Sequence, residues 1–279
     1  GAENVAVGRS ALAANTTASN NVAVGRLALG GNTTGTDNVA VGSRAADANT
    51  TGSDNTAIGD NALGANTTAN QNTAVGSSAL LLNTTGVQNV AIGDFALDAN
   101  TTAHYNTAVG SQALSANTTG ASNVGVGKSA LAANTTAANN TAVGYNALTA
   151  NTTGAGNTAV GQGAGTAITT GAQNVAVGRV ALGTNITSNY NTAIGDGALY
   201  TNVAASNTAV GSDALYANTT GTENVAVGAL AFDVNTTGSY STAVGTKALG
   251  ANTTANGNTA IGYRALETNT TGASNVAVG

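Results

Sequence analysis

The sequence predicts an all-β fold, a parallel β-solenoid of about sixteen 17-residue coils. Three observations lead there. The pentad Asn4-Val5-Ala6-Val7-Gly8 recurs with starts at 4, 21, 38, 55, 72, 89, 106, 123, 140, 157, 174, 191, 207, 224, 241, 258 and 275, always 17 residues apart except for the 16 between 191 and 207. A fixed period is the mark of stacked repeats, yet this one is shorter than the roughly 33 residues of a two-helix unit and the roughly 20 of a leucine-rich one. The chain also holds 38 Gly and no Pro, and it shows no long apolar stripe of helical period. Residues 1–279 therefore form a single repeat array, with a local irregularity expected around 157–206.

Counting from the pentad Asn as position 1, the consensus is N-[VT]-A-[VI]-G-x-x-A-L-x-A-N-T-T-[GA]-x-x. Positions 2 to 4 read as a strand, whose two-residue period sends Val or Thr at 2 and Val or Ile at 4 to one face and Ala at 3 to the other. Gly at position 5, present in all 17 copies, ends the strand and allows a turn of positive φ. A second short strand is expected over A-L-x-A-N, as in Ala11 to Asn15, and the T-T-G corner returns the chain. Identical coils place identical side chains above one another. Asn4, Asn21 and Asn38 should form one amide ladder, Asn15, Asn32 and Asn49 a second, and the pairs typified by Thr16 and Thr17 a third.

Ala at positions 3 and 8 hardly varies: position 8 is always Ala, and position 3 departs only at Gly125. If Leu at position 9 points inward, Ala at 8 points outward, and strict smallness on an outward face implies a second backbone close by. Ala6, Ala11, Ala23 and Ala28 are thus expected at a close-packing interface of a homo-oligomer of cyclic symmetry. The rival reading places the Ala residues inside a very narrow coil of a single chain. Three residues precede the first pentad, none follows the last and neither end carries an atypical capping repeat, which suggests a window from a longer array.

Composition excludes several classes. Without Cys there is no disulfide framework or thiolate metal site, and with one His a catalytic triad or zinc centre lacks material. A net charge of -5 without a Lys/Arg cluster argues against nucleic acid. No apolar run approaches the roughly 20 residues that span a bilayer, so membrane insertion is not expected. The lone His104 reads as solvated surface beside Tyr105. Asp37, Asp54, Asp60, Asp94, Asp98, Asp196 and Asp213 fall at several repeat positions and match no calcium loop. Gly161-Gln162-Gly163-Ala164-Gly165 imitates a phosphate loop, but in the repeat register it is a degenerate coil, which also replaces the ladder Asn with Ile168. The N-T-T corners match the glycosylation acceptor, although a ladder Asn would be inaccessible to a transferase. Tyr105, Tyr190 and Tyr240 share one coil position but lie too many repeats apart to form a continuous patch. No catalytic residue, cofactor or metal is expected, and the chain reads as a non-enzyme.

The phrase N-[VT]-A-[VI]-G-x-x-A resembles the head repeats of YadA-like trimeric autotransporter adhesins. The longer form, as in Asn140-Thr141-Ala142-Val143-Gly144-Tyr145-Asn146-Ala147-Leu148 followed by Asn151-Thr152-Thr153-Gly154, is similar to arrays in bacterial and phage tail-fibre-domain proteins. The 17-residue period and the N-T-T corner depart from the adhesin pattern. The resemblance implies a left-handed β-roll, assembled as a trimer and located extracellularly on a cell surface or virion. The function expected is a shaft or stalk segment of a fibre, adhesin or tail fibre. Its partners would be copies of itself, a trimer or a higher cyclic number, and a cell-surface or host receptor reached through a region outside this window. The alternative is an ice-binding β-solenoid that uses a Thr ladder.

Overall fold

The computed structural model describes all 279 residues as a parallel β-solenoid of about sixteen turns without helix. Contacts divide the chain into two compact units, Gly1–Asn139 and Asn140–Gly279. The first carries eight three-residue strands, from β1 (Val5–Val7) to β8 (Val124–Val126), and the second nine, from β9 (Thr141–Val143) to β17 (Val276–Val278). Within each unit every strand pairs in parallel with the next at equal register, Val5 opposite Val22 and Ala6 opposite Ala23.

Position 5 shows why only Gly is found there. Its φ lies between 125 and 139° in every copy, a region that side chains avoid. A Cβ built on Gly25 would also fall 2.2 Å from the Gly42 carbonyl oxygen of the next coil. Conformation and stacking each demand Gly independently.

The second strand expected over Ala11–Asn15 does not form; the segment is a run of turns. Ala11 N–H donates to Gly8 O (3.3 Å) and Asn15 N–H to Leu12 O (3.1 Å). Positions 7 and 9 adopt left-handed φ, 60° at Ser10 and 51° at Leu12, which breaks strand alternation and costs roughly 1 kcal/mol or more for each non-Gly residue. Coil-to-coil bonds offset this, such as Leu12 N–H to Ala28 O (3.0 Å), together with burial of the position-9 side chain: Leu29, Leu63 and Leu80 are fully buried.

The alternation of the strand is observed, but its faces are the reverse of the expected ones. Ala23 and Ala28 have no exposed surface in a single chain, and Ala6 and Ala11 hold the same positions in the first coil, which is open on one side. The expected Ala interface is therefore corrected: positions 3, 8 and 9 fill the inside of the coil. Gly125 locates the contact, since a Cβ there would meet the Leu114 side chain of the preceding coil at 3.4 Å and the Ala130 carbonyl at 3.2 Å. Only a methyl fits between them, so smallness is a requirement of the coil's own packing.

Through residues 157–206 the strands keep their order. Strands β10 (Thr158–Val160), β11 (Val175–Val177), β12 (Thr192–Ile194) and β13 (Thr208–Val210) pair without a break, and Thr192 still faces Thr208 across the shortened interval. The missing residue is absorbed in the corner. Asn202 Nδ2 donates to Ala204 O two residues on (2.6 Å), where other coils span three.

Candidate functional site

The Asn at position 1 links coils through both its ends. Asn38 N–H and Nδ2 donate to Asn21 Oδ1 (3.0 and 3.1 Å), and Nδ2 also donates to Gly52 O at the corner of its own coil (2.9 Å). Asn49 of the second ladder donates to Asn32 Oδ1 and to the same Gly52 O, both at 2.9 Å. A single corner carbonyl thus ties the two ladders together. From Asn21 to Asn258 in the first ladder and from Asn32 to Asn252 in the second, the ladder amides are buried, and amides withdrawn from water require such partners. Asn4 and Asn15 begin the ladders in the first coil, where Asn4 Oδ1 accepts from Asn21 N–H (2.9 Å) and Asn15 Nδ2 donates to Ala18 O (3.3 Å). The interior sequons of the N-T-T corners are closed to modification in the folded chain, because their Asn side chains are the buried ladder itself.

The Thr pair divides. Thr16 Oγ1 donates to the Thr33 carbonyl (3.0 Å), as Thr33 Oγ1 does to Thr50 O (3.0 Å). Thr17 is exposed and stands outside the ladder. The expected third ladder is therefore half of the pair, and its bonds run from hydroxyl to backbone.

Position 16 supplies a column that went unread in the sequence. There Ser53 Oγ accepts from Thr36 N–H (3.0 Å), Asn70 Oδ1 from Ser53 N–H (2.7 Å) and His104 Nδ1 from Val87 N–H (3.0 Å). His104 is thus a structural acceptor for the preceding coil, held more firmly than a solvated surface group. Residues as different as Ser, Asn and His share only an acceptor atom, which consensus letters do not display.

The outer strand face is carried by positions 2 and 4. Ile58, Ile92, Val143, Val160, Ile194 and Ile261 are between 36 and 43% exposed, an ordered apolar column beside one of Val and Thr.

Charged groups lie outside on the turns. Arg179 and Asp196 pair at 2.9 Å on adjacent coils, both largely exposed, which contributes little to stability. Burial raises the carboxyls of Asp47, Asp98 and Asp233, all at position 10, above the ordinary carboxylate range. One Asp98 oxygen is buried without a hydrogen-bond partner. Position 10 also carries Tyr200 and Tyr216, whose rings stack at 5.3 Å and 11°. This adjacent pair was missed beside the widely spaced Tyr105, Tyr190 and Tyr240; one coil-period of separation was its signal.

No family model matches the chain, and no curated protein matches it in sequence.

Proposed function

We propose that the chain is a shaft or stalk segment of an extracellular fibre, adhesin or tail fibre that mediates surface attachment, assembled from copies of itself with a trimer favoured. The observation that carries this reading is the outer strand face. A single chain closes its own interior with Ala and Leu, yet leaves regular columns of Val and Ile in water. Association of copies through these columns would bury them. The repeated registers provide one contact per coil, and the nearly continuous Asn ladders make each coil stiffen its neighbours.

Labelling the native particle with an antibody against the chain, followed by electron microscopy, tests the reading. Label along a projecting shaft on a cell or virion is expected. Label confined to the cell interior would sink it.

The ice-binding alternative has one observation in its favour. The strands T-A-[VI] set Thr beside a branched aliphatic on the outer face, as at Thr56–Ile58 and Thr192–Ile194, whereas the ladder hydroxyls of the corners are already engaged. Thermal hysteresis of the purified chain separates the two readings: its presence favours ice binding, its absence the shaft.

A further inference from the structure

We propose that Tyr216, with the carboxylates of Asp213 and Asp233, forms a binding site for a neutral pyranose, the central subsite of a surface groove for a linear oligosaccharide. The site is built within the second unit and is independent of the shaft reading.

Two glycines and a stack fix the platform. A Cβ on Gly183 would fall 2.6 Å from Tyr200 Cε2, so the Tyr200 ring rests on bare backbone. Tyr216 stacks on Tyr200 from the next coil, an arrangement that restrains both rings. A Cβ on Gly197 would meet Asp213 Oδ1 at 2.3 Å, so the Asp213 carboxylate occupies space that any other residue at 197 would take. Tyr216 is 40% exposed.

Beside Tyr216 lies an open surface depression of about 420 Å³, lined by Asp213, Tyr216, Ala217, Leu230, Asp233 and Val234. Tyr200 does not reach it and the following coil does, so it opens on the side of Tyr216 away from the stack. Its volume falls in the roughly 300–1,000 Å³ range of small-ligand sites. Two depressions adjoin it. One, of about 350 Å³, shares Asp213 and Tyr216; the other, of about 440 Å³, shares Asp233.

The chemistry selects the ligand. An aromatic face takes the C–H face of a pyranose ring, while flanking carboxylates accept hydrogen bonds from its hydroxyls. Nothing lining the central depression is cationic; Arg179 in one adjoining depression pairs with Asp196 at 2.9 Å, and Lys247 in the other shares its wall with Asp233 and Glu267. At the central subsite the carboxylates of Asp213 and Asp233 would repel an anionic sugar. The shared walls let neighbouring sugars of one chain occupy successive depressions.

Saturation-transfer NMR on the whole purified chain tests this, with glucose, galactose, N-acetylglucosamine, β-linked oligomers of glucose and of N-acetylglucosamine up to four units, and sialic acid. Binding of at least one neutral series is expected, with affinity rising about tenfold from one unit to three and no transfer to sialic acid. Tyr216→Ala should abolish binding, Tyr216→Phe should retain it, and Asp213→Asn or Asp233→Asn should weaken it about tenfold. Tyr240→Ala, on a different column, should change nothing. Should Tyr216→Ala lose the β-sheet circular-dichroism signal, the two Asp variants decide. Absence of transfer to every neutral sugar at millimolar concentration overturns the proposal. Equal binding of sialic acid does so too, as do folded Tyr216 or Asp variants that bind like the parent.

Discussion

Ile168 occupies the space that Gly165 leaves. In this coil position 9 is Gly in place of Leu, and a Cβ there would meet Ile168 Cδ1 and Leu148 Cδ2, each at 3.0 Å. Ile168, which stands where other coils have a ladder Asn, is 1% exposed and supplies the missing apolar volume. The two departures from consensus are one exchange of packing. Ile168→Asn alone should destabilise by about 2–4 kcal/mol through the emptied interior, and Gly165→Leu alone should overpack it by about 1–3 kcal/mol. The double variant should recover most of both losses. A denaturant-midpoint double-mutant cycle measures that coupling; additive effects would contradict it.

Ser241 is the single break in the position-1 ladder. It keeps the backbone links, with its N–H on Asn224 Oδ1 (3.0 Å) and its Oγ accepting from Asn258 N–H (3.1 Å). It has no amide to reach the Ala255 carbonyl, which Asn252 alone engages (3.1 Å). Ser241→Asn should raise stability by about 1 kcal/mol. Asn55→Ala leaves the buried Asn72 N–H without its acceptor and removes one of two donors from Asn38 Oδ1 and from Ala69 O, and should cost about 1–3 kcal/mol. Thermal denaturation checks both directions.

Glycines at different positions should differ sharply in their tolerance of a side chain. Gly110→Ala places a Cβ 2.6 Å from the Gly127 carbonyl of the next coil, backbone that cannot yield, and the first unit should lose most of its stability. Gly257 has φ of 67°, and its nearest neighbour would be Ser274 Oγ at 3.6 Å. Gly257→Asn, a residue tolerant of this conformation, should shift the midpoint by less than about 0.5 kcal/mol.

Acid should stabilise this chain over a defined window. Burial raises the carboxyls of Asp47, Asp98 and Asp233 above the ordinary 3.8. Between 3.8 and the raised values the folded chain binds more protons than the unfolded one. Stability therefore rises as pH falls through the raised values toward 3.8, and above them the cost of the buried charge is fully present. The urea midpoint should increase from pH 7 to pH 4. Asp98→Asn should increase it at pH 7 and flatten the profile, whereas a midpoint that falls steadily from pH 7 to pH 4 would contradict the assignment.

The coil, its strand and the Asn ladders were legible because stacking equal coils converts sequence period directly into spatial columns. The direction of the faces was not. Ala at positions 3 and 8 is small because the Leu114 side chain and the Ala130 carbonyl close on that space, and a small residue reads the same whether its neighbour belongs to its own coil or to another chain. The turns over Ala11–Asn15 were hidden because left-handed Ser10 and Leu12 are stabilised by coil-to-coil bonds rather than by local preference. Gly165 and Ile168 each looked like decay until their contact joined them.

Sedimentation equilibrium of the purified chain, beside an Ile58→Lys/Ile92→Lys variant on the outer strand face, tests most directly whether copies associate through that face. Both side chains are about 40% exposed in a single chain, so the variant should keep its β-sheet circular dichroism. The parent should sediment as one discrete oligomer and the variant as a monomer. A parent that stays monomeric at every concentration, or a folded variant that assembles as the parent does, would contradict it.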